Sequence, residues 1–216
     1  MTGPLAVLTL HTAPLLLPPG AAPLPDGAVL VQGEAVLAVG PRADLAAAHP
    51  GARVRAWPGL LTTGLTHARA VPLLEAAYHP DPREYDQLGE TPLTGEALAR
   101  LAPDRTRRSG SVRRGLQRLL RHGVTRVAGA VTDPAVRSAL ARSGVSVVPG
   151  PASAPGPVSF DPFTGGHDAL SGVPLAPGVR ADLAAFDVPV AAALRDGGAA
   201  ACVATVLAGR LVHRAR

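Results

Sequence analysis

The sequence WPGLLTTGLTHAR at residues 57–69 marks the point where the chain changes from one kind of structure to another. Before it, short apolar runs are separated by Gly and Pro turns, which is the pattern of β-strands. After it, helical and strand patterns alternate, and from about Gly172 short strands return. This order predicts an α/β protein in which both chain ends build one β-module and an α/β insert begins at Pro58.

The β-module is predicted from apolar runs at each end of the chain. The apolar runs at residues 28–31 and 35–39 flank the polar triplet Gln32-Gly33-Glu34, which is typical of a hairpin. We expect residues 1–57 and 172–216 to form a composite β-sandwich and residues 58–171 to form the insert. The predicted strands of the module are residues 5–10, 28–31, 35–39, 52–57, 181–186, 201–207 and 211–213.

The insert carries the clearest helical pattern, at residues 111–122. Val112, Leu116, Leu119 and Leu120 recur on one stripe of this helix, and Ser109 or Ser111 is the expected cap. Strand, helix and strand patterns then follow, which predicts a parallel pair with a right-handed crossover. Together with the apolar run 60–65 this makes about three parallel strands. The Pro-, Gly-, Ala- and Ser-rich residues 149–157 are predicted to be a loop.

The composition limits what the charge can mean. Among 216 residues there is no Lys, Ile or Asn, so a bias in codon supply accounts for the Arg-rich character, and the net charge of +5 is modest. The single Cys202 excludes an internal disulfide and a mainly thiolate metal site. We find no signal-peptide pattern and no apolar run near the roughly 20 residues that span a bilayer. We therefore predict a cytoplasmic protein with no membrane partner.

Three separated segments carry a resemblance when they are taken as a set. They are the hairpin at residues 26–40, the tetrapeptide WPGL at 57–60, and the C-terminal segments 177–187 and 206–213. As a set they resemble the amidohydrolase superfamily, most of all its imidazolonepropionase-like and cytosine-deaminase-like branch. The resemblance implies a composite β-sandwich beside a (β/α)₈ barrel, and hydrolysis of non-peptide carbon–nitrogen bonds. Residues 115–128 also resemble an early barrel helix and the strand that follows it.

The length of the insert does not allow a complete barrel. A (β/α)₈ barrel takes roughly 200 residues or more, and only about half that number separates Pro58 from Gly172. We therefore predict a truncated barrel of about three strands beside the composite β-sandwich.

The metal ligands that the resemblance implies are missing. In the family a His-x-His pair stands six and eight residues after the Pro of Pro-Gly-Leu, and those positions here are Gly64 and Thr66. His67 lies one residue further on, where a strand turns its side chain to the opposite face. Without Lys there is also no carboxylated lysine. We predict no metal ligand and no cofactor, with zinc or iron only if the family chemistry survives.

Seven residues are the candidates for a residual site. His67 and Arg69 follow a parallel strand, at the end where α/β proteins place ligands. His79 and Asp81, with Glu84 nearby, have the atoms for acid/base chemistry. These four are the catalytic candidates, against the alternative of ordinary solvated loops. The substrate-binding candidates are Glu75, His167 and Asp168.

The densest basic region is residues 105–121, and it admits two interpretations. Its Arg side chains suit phosphate or carboxylate, so an anionic ligand or nucleic acid is one interpretation. The region lacks aromatic residues that would stack on bases, and a solvated helix face accounts for it more simply. We therefore predict no nucleic-acid partner.

Two hypotheses for function remain from the sequence. One is a shortened amidohydrolase relative that hydrolyses or deaminates a small molecule. The other is a non-catalytic relative that binds a small-molecule ligand or a partner protein. A half-barrel leaves a sheet edge and an apolar face uncovered, which predicts a homodimer or a covering protein partner.

Overall fold

A computed structural model describes residues 7–150, 159–164 and 166–215. The strands are β1 (Leu8–Leu17), β2 (Leu24–Gln32), β3 (Ala35–Pro41), β4 (Arg53–Ala56), β5 (Leu60–Thr63), β6 (Leu65–His67), β7 (Ala77–Tyr78), β8 (Leu93–Thr94), β9 (Val124–Ala128), β10 (Ser146–Val148), β11 (Leu183–Phe186), β12 (Cys202–Leu207) and β13 (Arg210–Arg214). The α-helices are α1 (Arg42–Ala48), α2 (Ala70–Glu75), α3 (Tyr85–Leu88), α4 (Gly95–Leu101), α5 (Arg105–Arg121), α6 (Pro134–Ser143) and α7 (Ala191–Gly197). Short 3₁₀ turns cover Pro82–Glu84 and Ala199–Ala201.

The two ends of the chain meet in one sheet. Eight strands form it in the order β13-β12-β11-β5-β1-β2-β3, and β4 pairs with β1 beside β5. The C-terminal strand β11 pairs with β5, which in turn runs parallel to β1. The predicted composite β-module built from both termini is therefore confirmed.

The edge strand β3 is hydrogen-bonded to the segment that precedes the central strand β11. The backbone N–H of Val36 in β3 donates to the carbonyl of Val179 at 2.8 Å, and Ala181 N–H donates to Glu34 O at 2.8 Å. Because residues 179–181 lead directly into β11, these bonds fold the β2–β3 hairpin over the sheet. They enclose an apolar core that includes Val29, Trp57 and Leu183.

The two central strands of the sheet are buried on both faces. In β5, Leu60 packs with the helices and Leu61 packs with the enclosed sheet core. In β11, Phe186 packs in the core on the helix side and Leu183 packs in the enclosed sheet core. Burial on both sides explains why neither segment alternates between apolar and charged residues: β11 is apolar throughout, and β5 is two leucines followed by two buried threonines.

One residue, Gly64, carries the chain from the composite sheet to the second sheet. We expected a single strand at residues 60–65, and the structure has β5 and β6 on either side of Gly64. Its backbone N–H donates to Asp182 O at 2.9 Å, and that of Leu65 donates to Gly123 O at 2.8 Å. The change of partner from the β11 side to the β9 side occurs within these two residues.

The second sheet is parallel and has three strands in the order β10-β9-β6. The connection from β6 to β9 runs from α2 through the short strands β7 and β8 to α5, and α6 connects β9 to β10. Leu119 and Leu140 on these helices pack in one core with Val127 of β9. The mixed α/β fold, with a partial three-stranded parallel unit, is the one that the sequence predicts.

The start of α5 was predicted wrongly. The helix begins at Arg105, six residues before the predicted start, and its cap is Asp104, whose Oδ1 accepts the Arg107 N–H at 2.8 Å. Neither Ser109 nor Ser111 caps it, since both lie inside the helix. Ser111 is buried instead, and its hydroxyl accepts the N–H of His79 at 2.8 Å.

Most of the predicted loop at residues 149–157 lies outside the described residues, which resume at Ser159. In the part of the chain that the structure describes, every helix is too short or too polar to cross a bilayer.

Candidate functional site

A buried arginine occupies the point where β6 and β9 run side by side. Arg126 of β9 is 6% exposed, and its Nε donates to Thr66 Oγ1 of β6 at 2.9 Å. Its Nη2 donates to the carbonyl oxygen of Gly64. Burial lowers the pKa of this guanidinium, and the nearby Asp182 carboxylate opposes that change. A fixed positive charge therefore bridges Gly64 and Thr66.

The neighbouring space beside Gly64 is filled by Thr125. A Cβ built on Gly64 would lie 2.1 Å from Thr125 Oγ1, 2.3 Å from its Cγ2 and 2.7 Å from its Cβ. Thr125 is fully buried in β9. A side chain at position 64 thus has no room while Thr125 is in place.

These residues do not fit the metal site that the resemblance implies. Gly64 supplies no donor atom, and the hydroxyl of Thr66 already accepts from Arg126. A divalent cation placed here would also meet the Arg126 guanidinium in a buried environment, where like charges repel strongly. Among residues 7–150, 159–164 and 166–215, no three His, Cys, Asp or Glu side chains form a group that could hold a metal ion.

His67, at the end of β6, uses both ring nitrogens within the fold. It is 3% exposed, its Nε2 lies 2.9 Å from the Ser159 carbonyl oxygen, and its Nδ1 accepts the backbone N–H of Arg69 at 3.1 Å. A carbonyl oxygen only accepts, so Nε2 carries the hydrogen and the ring is neutral. Burial lowers the pKa of His67 to about 4. Arg69 directly precedes α2 and is half-buried.

His79 is fully enclosed between α2 and α5. Its Nε2 lies 3.2 Å from the Leu73 carbonyl oxygen, and the Phe160 ring lies 5.3 Å from the imidazole centroid to centroid. Burial, followed by the positive charges of Arg118, Arg108 and Arg114, lowers the pKa of His79 to about 4 against the effect of the Leu73 bond. The structure therefore holds His79 neutral and away from solvent.

Two acidic candidates serve as anchors for backbone N–H groups. Glu75 Oε1 accepts the N–H of Thr132 at 2.6 Å and that of Asp133 at 2.8 Å, which fixes the turn that precedes α6. Asp81 caps the short 3₁₀ turn after β7 and forms an ion pair with Arg114 at 2.9 Å. Both carboxylates are thus occupied in holding separate segments together.

The last two candidates lie in the loop beside β6, where the carbonyl oxygen of Ala169 accepts the N–H of Thr66 at 3.1 Å. Asp168 is exposed, accepts the N–H of Leu170 at 3.3 Å and lies 3.6 Å from Arg195 of α7. It lines a cleft of about 420 Å³ with Thr62 and the turn after β1. His167 precedes it in the same loop and is half-buried.

The structure therefore brings His67 and His79 to the same buried region around residues 159–160, and the loop that carries Asp168 bonds to β6 beside His67. Sequence reasoning missed Arg126, although a signal was present. An arginine stands in the middle of Val124-Thr125-Arg126-Val127-Ala128, a strand whose other members are apolar or small. A charge within such a strand indicates a specific buried partner.

The fold and this site together define the class: a composite β-domain joined to a partial parallel α/β unit, with a buried arginine that bridges Gly64 and Thr66. Residues 27–52 match the family model described as the imidazolonepropionase-like composite domain of bacteria. This match agrees with the resemblance of residues 26–40 to the imidazolonepropionase-like branch of the amidohydrolase superfamily. Among curated proteins no sequence matches the chain.

Several solved structures are similar over part of their length. Ochratoxinase from A. niger is 21% identical, with 67% of this chain and 30% of that chain covered and a TM-score of 0.44. Guanine deaminase from E. coli is 17% identical, with 65% and 35% covered and a TM-score of 0.47. An adenosine deaminase from Xanthomonas campestris is 21% identical, with 68% and 34% covered and a TM-score of 0.43. The chain thus spans about a third of the length of the structures that it resembles.

Proposed function

We propose that this chain is an amidohydrolase-related protein that has lost metal-dependent hydrolysis and acts by binding a small molecule. The proposal is supported by two contacts: Thr125 occupies the space that a side chain at position 64 would need, and Arg126 bonds to the Gly64 carbonyl oxygen and to Thr66 Oγ1. Restoring a ligand at position 64 would first require Thr125 to leave. In this proposal, loss of the metal site involves the packing between β6 and β9 as well as the substitution of the two histidines.

The remaining candidate residues support this proposal. A general acid or base must reach the proton that it transfers, and a metal ligand needs a free electron pair. His67 commits both ring nitrogens to the fold, and Glu75 commits its Oε1 to two backbone N–H groups. The cytoplasmic location and the homodimer or covering partner stay predictions.

A metal titration tests the proposal. The purified protein is dialysed against zinc and, separately, against ferrous iron, and the bound metal is measured by mass spectrometry. We expect a metal content well below stoichiometric, and the same content in a His67→Gln variant. We also expect no ring opening of cyclic amides and no ammonia from amino-substituted heterocycles, with or without added metal.

Two outcomes would contradict the proposal. One is stoichiometric zinc or iron that the His67→Gln substitution removes while the thermal melt still shows a folded variant. The other is a metal-dependent turnover of either substrate class. Either result would favour the alternative function, a hydrolase or deaminase acting on non-peptide carbon–nitrogen bonds.

A further inference from the structure

A basic cleft lies on the outer side of α5, away from the strand edge that holds Arg126. Its volume is about 380 Å³, within the range of roughly 300–1,000 Å³ that is usual for small-molecule sites. One wall is α5 and the other is the turn that follows β7. The lining residues that matter for charge are Asp81, Tyr85, Arg113, Arg114, Arg118 and Arg121.

The cleft has an excess of positive charge. Four guanidinium groups line it, and among its lining residues Asp81 is the one carboxylate, which pairs with Arg114 at 2.9 Å. Within the described ranges, Arg113, Arg118 and Arg121 form no ion pair with a carboxylate. Three positive charges thus face one cavity without compensation from the described protein.

Two of the four guanidinium groups are already held in position. Arg114 donates from Nε to the His79 carbonyl oxygen at 2.8 Å, in addition to its ion pair. Arg118 donates from Nη2 to the Glu90 carbonyl oxygen at 3.2 Å, and its guanidinium lies 5.5 Å from the centroid of the Phe160 ring. Because these groups are fixed before any ligand arrives, binding loses less side-chain entropy at them.

The spacing of the arginines along α5 makes the cleft without a bound anion electrostatically unfavourable. Arg114 and Arg118 are four residues apart on the helix, and Arg118 and Arg121 are three apart, so each pair lies on the same side. Like charges at these spacings destabilise a helix, and an anion between them would reverse that effect. The planar guanidinium group of arginine can also donate two parallel N–H bonds to the oxygens of a phosphate, which an ammonium group cannot do.

We propose that the α5 cleft binds a small molecule bearing two or more phosphate groups. The excess of positive charge favours a multiply charged anion, and the volume of the cleft favours a small one. Tyr85 is the one aromatic side chain among the lining residues, which gives no series of rings on which successive bases would stack. This distinguishes the cleft from a nucleic-acid surface.

Calorimetric titration with inorganic pyrophosphate tests the proposal. The double variant Arg113→Gln and Arg121→Gln removes the two exposed guanidinium groups, whose loss leaves the packed side of α5 intact. The matched control is Arg100→Gln with Arg105→Gln, which lowers the net charge equally at exposed positions outside the cleft. We expect the cleft variant to lose more than about tenfold in affinity, because two charge-assisted contacts are removed, and the control to stay within about threefold.

Three results would overturn the proposal. The first is no heat of binding with pyrophosphate at low salt while the protein is folded. The second is an equal loss in the control variant, which would show a general charge effect. The third is tight binding of single-stranded RNA that pyrophosphate does not displace. The cleft is separate from Arg126, so hydrolytic activity would refute the proposed function and leave this test unaffected.

Discussion

Acidification from pH 6.5 to pH 4 is expected to unfold the protein. Three histidines, His11, His67 and His79, are 3% exposed or less, and burial lowers the pKa of each to about 4. In the unfolded chain their pKa is about 6.5, so within this window the unfolded state binds protons that the native state does not. The contribution of these histidines to the free energy of unfolding is therefore fully present above pH 6.5, and it is lost as the pH falls towards 4.

The expected size of this effect rivals the total stability. Each buried histidine contributes about 1.4 kcal/mol for each pH unit, so three across the window amount to on the order of 10 kcal/mol, compared with about 5–15 kcal/mol for a typical domain. His11 shows the physical reason, since its Nδ1 accepts the indole N–H of Trp57 at 3.1 Å and would lose this bond on protonation. The charged or titratable neighbours are Arg55 for His11, Asp161, His122 and Arg69 for His67, and Arg118, Arg108 and Arg114 for His79.

Urea unfolding followed by circular dichroism between pH 8 and pH 4 measures this dependence. A His11→Leu variant should lose about a third of the slope, since one of the three proton-binding groups is gone. His49→Gln, at a position that is not buried, is the control and should keep the slope of the original protein. A free energy of unfolding that stays constant from pH 8 to pH 5 would contradict the prediction.

The shared sheet was predictable because each part of it leaves a separate mark in the sequence. The β2–β3 hairpin has its two apolar runs and a polar turn, and the doubly buried β5 and β11 contain no charged residue and do not alternate between apolar and polar residues. The start of α5 was not predictable in this way. Its first turn is polar and is held by ion pairs, Arg107 with Glu84 at 2.7 Å and Arg108 with Asp133 at 3.2 Å. Apolar periodicity reports burial, so it misses a turn that charges stabilise.

For the candidate site, the sequence predicted which family residues are missing better than it predicted which side chains contact one another. Gly64 and Thr66 could be compared with the family motif directly, and the structure shows that Thr125 and Arg126 are the side chains beside them. The bond from Arg126 to Thr66 joins residues 60 positions apart, and no spacing within the sequence predicts such a pair. Glu75 was chosen for its chemistry, and the structure uses that chemistry to receive the N–H groups of Thr132 and Asp133.

Replacing Gly64 by alanine is expected to cost about 2–3 kcal/mol of the free energy of unfolding, in the upper part of the range for overpacked cores. The added Cβ would lie 2.1–2.7 Å from three atoms of the Thr125 side chain. Rotating Thr125 does not remove the clash, because its own Cβ is one of those atoms. The gain of about 0.4–1 kcal/mol from a less flexible unfolded chain is too small to compensate.

A double-mutant cycle with Thr125→Gly isolates the cause. Thr125→Gly removes all three clashing atoms, so Gly64→Ala should cost less than about 1 kcal/mol in that background, with a coupling free energy of about 1–2 kcal/mol. Gly51→Ala is the matched control, since a Cβ there meets nothing within 4 Å, and it should change stability by about 0.5 kcal/mol or less. Urea unfolding of the five proteins supplies the values.

The result of this cycle bears directly on whether the first metal-ligand position is closed. If Gly64→Ala costs no more than Gly51→Ala, then position 64 tolerates a side chain and loss of the histidine is a simple substitution. If the cost is large and Thr125→Gly removes it, then the strand β9 has been rebuilt around the missing ligand. A histidine at position 64 would then need Thr125 to change as well, because the imidazole attaches through the same Cβ.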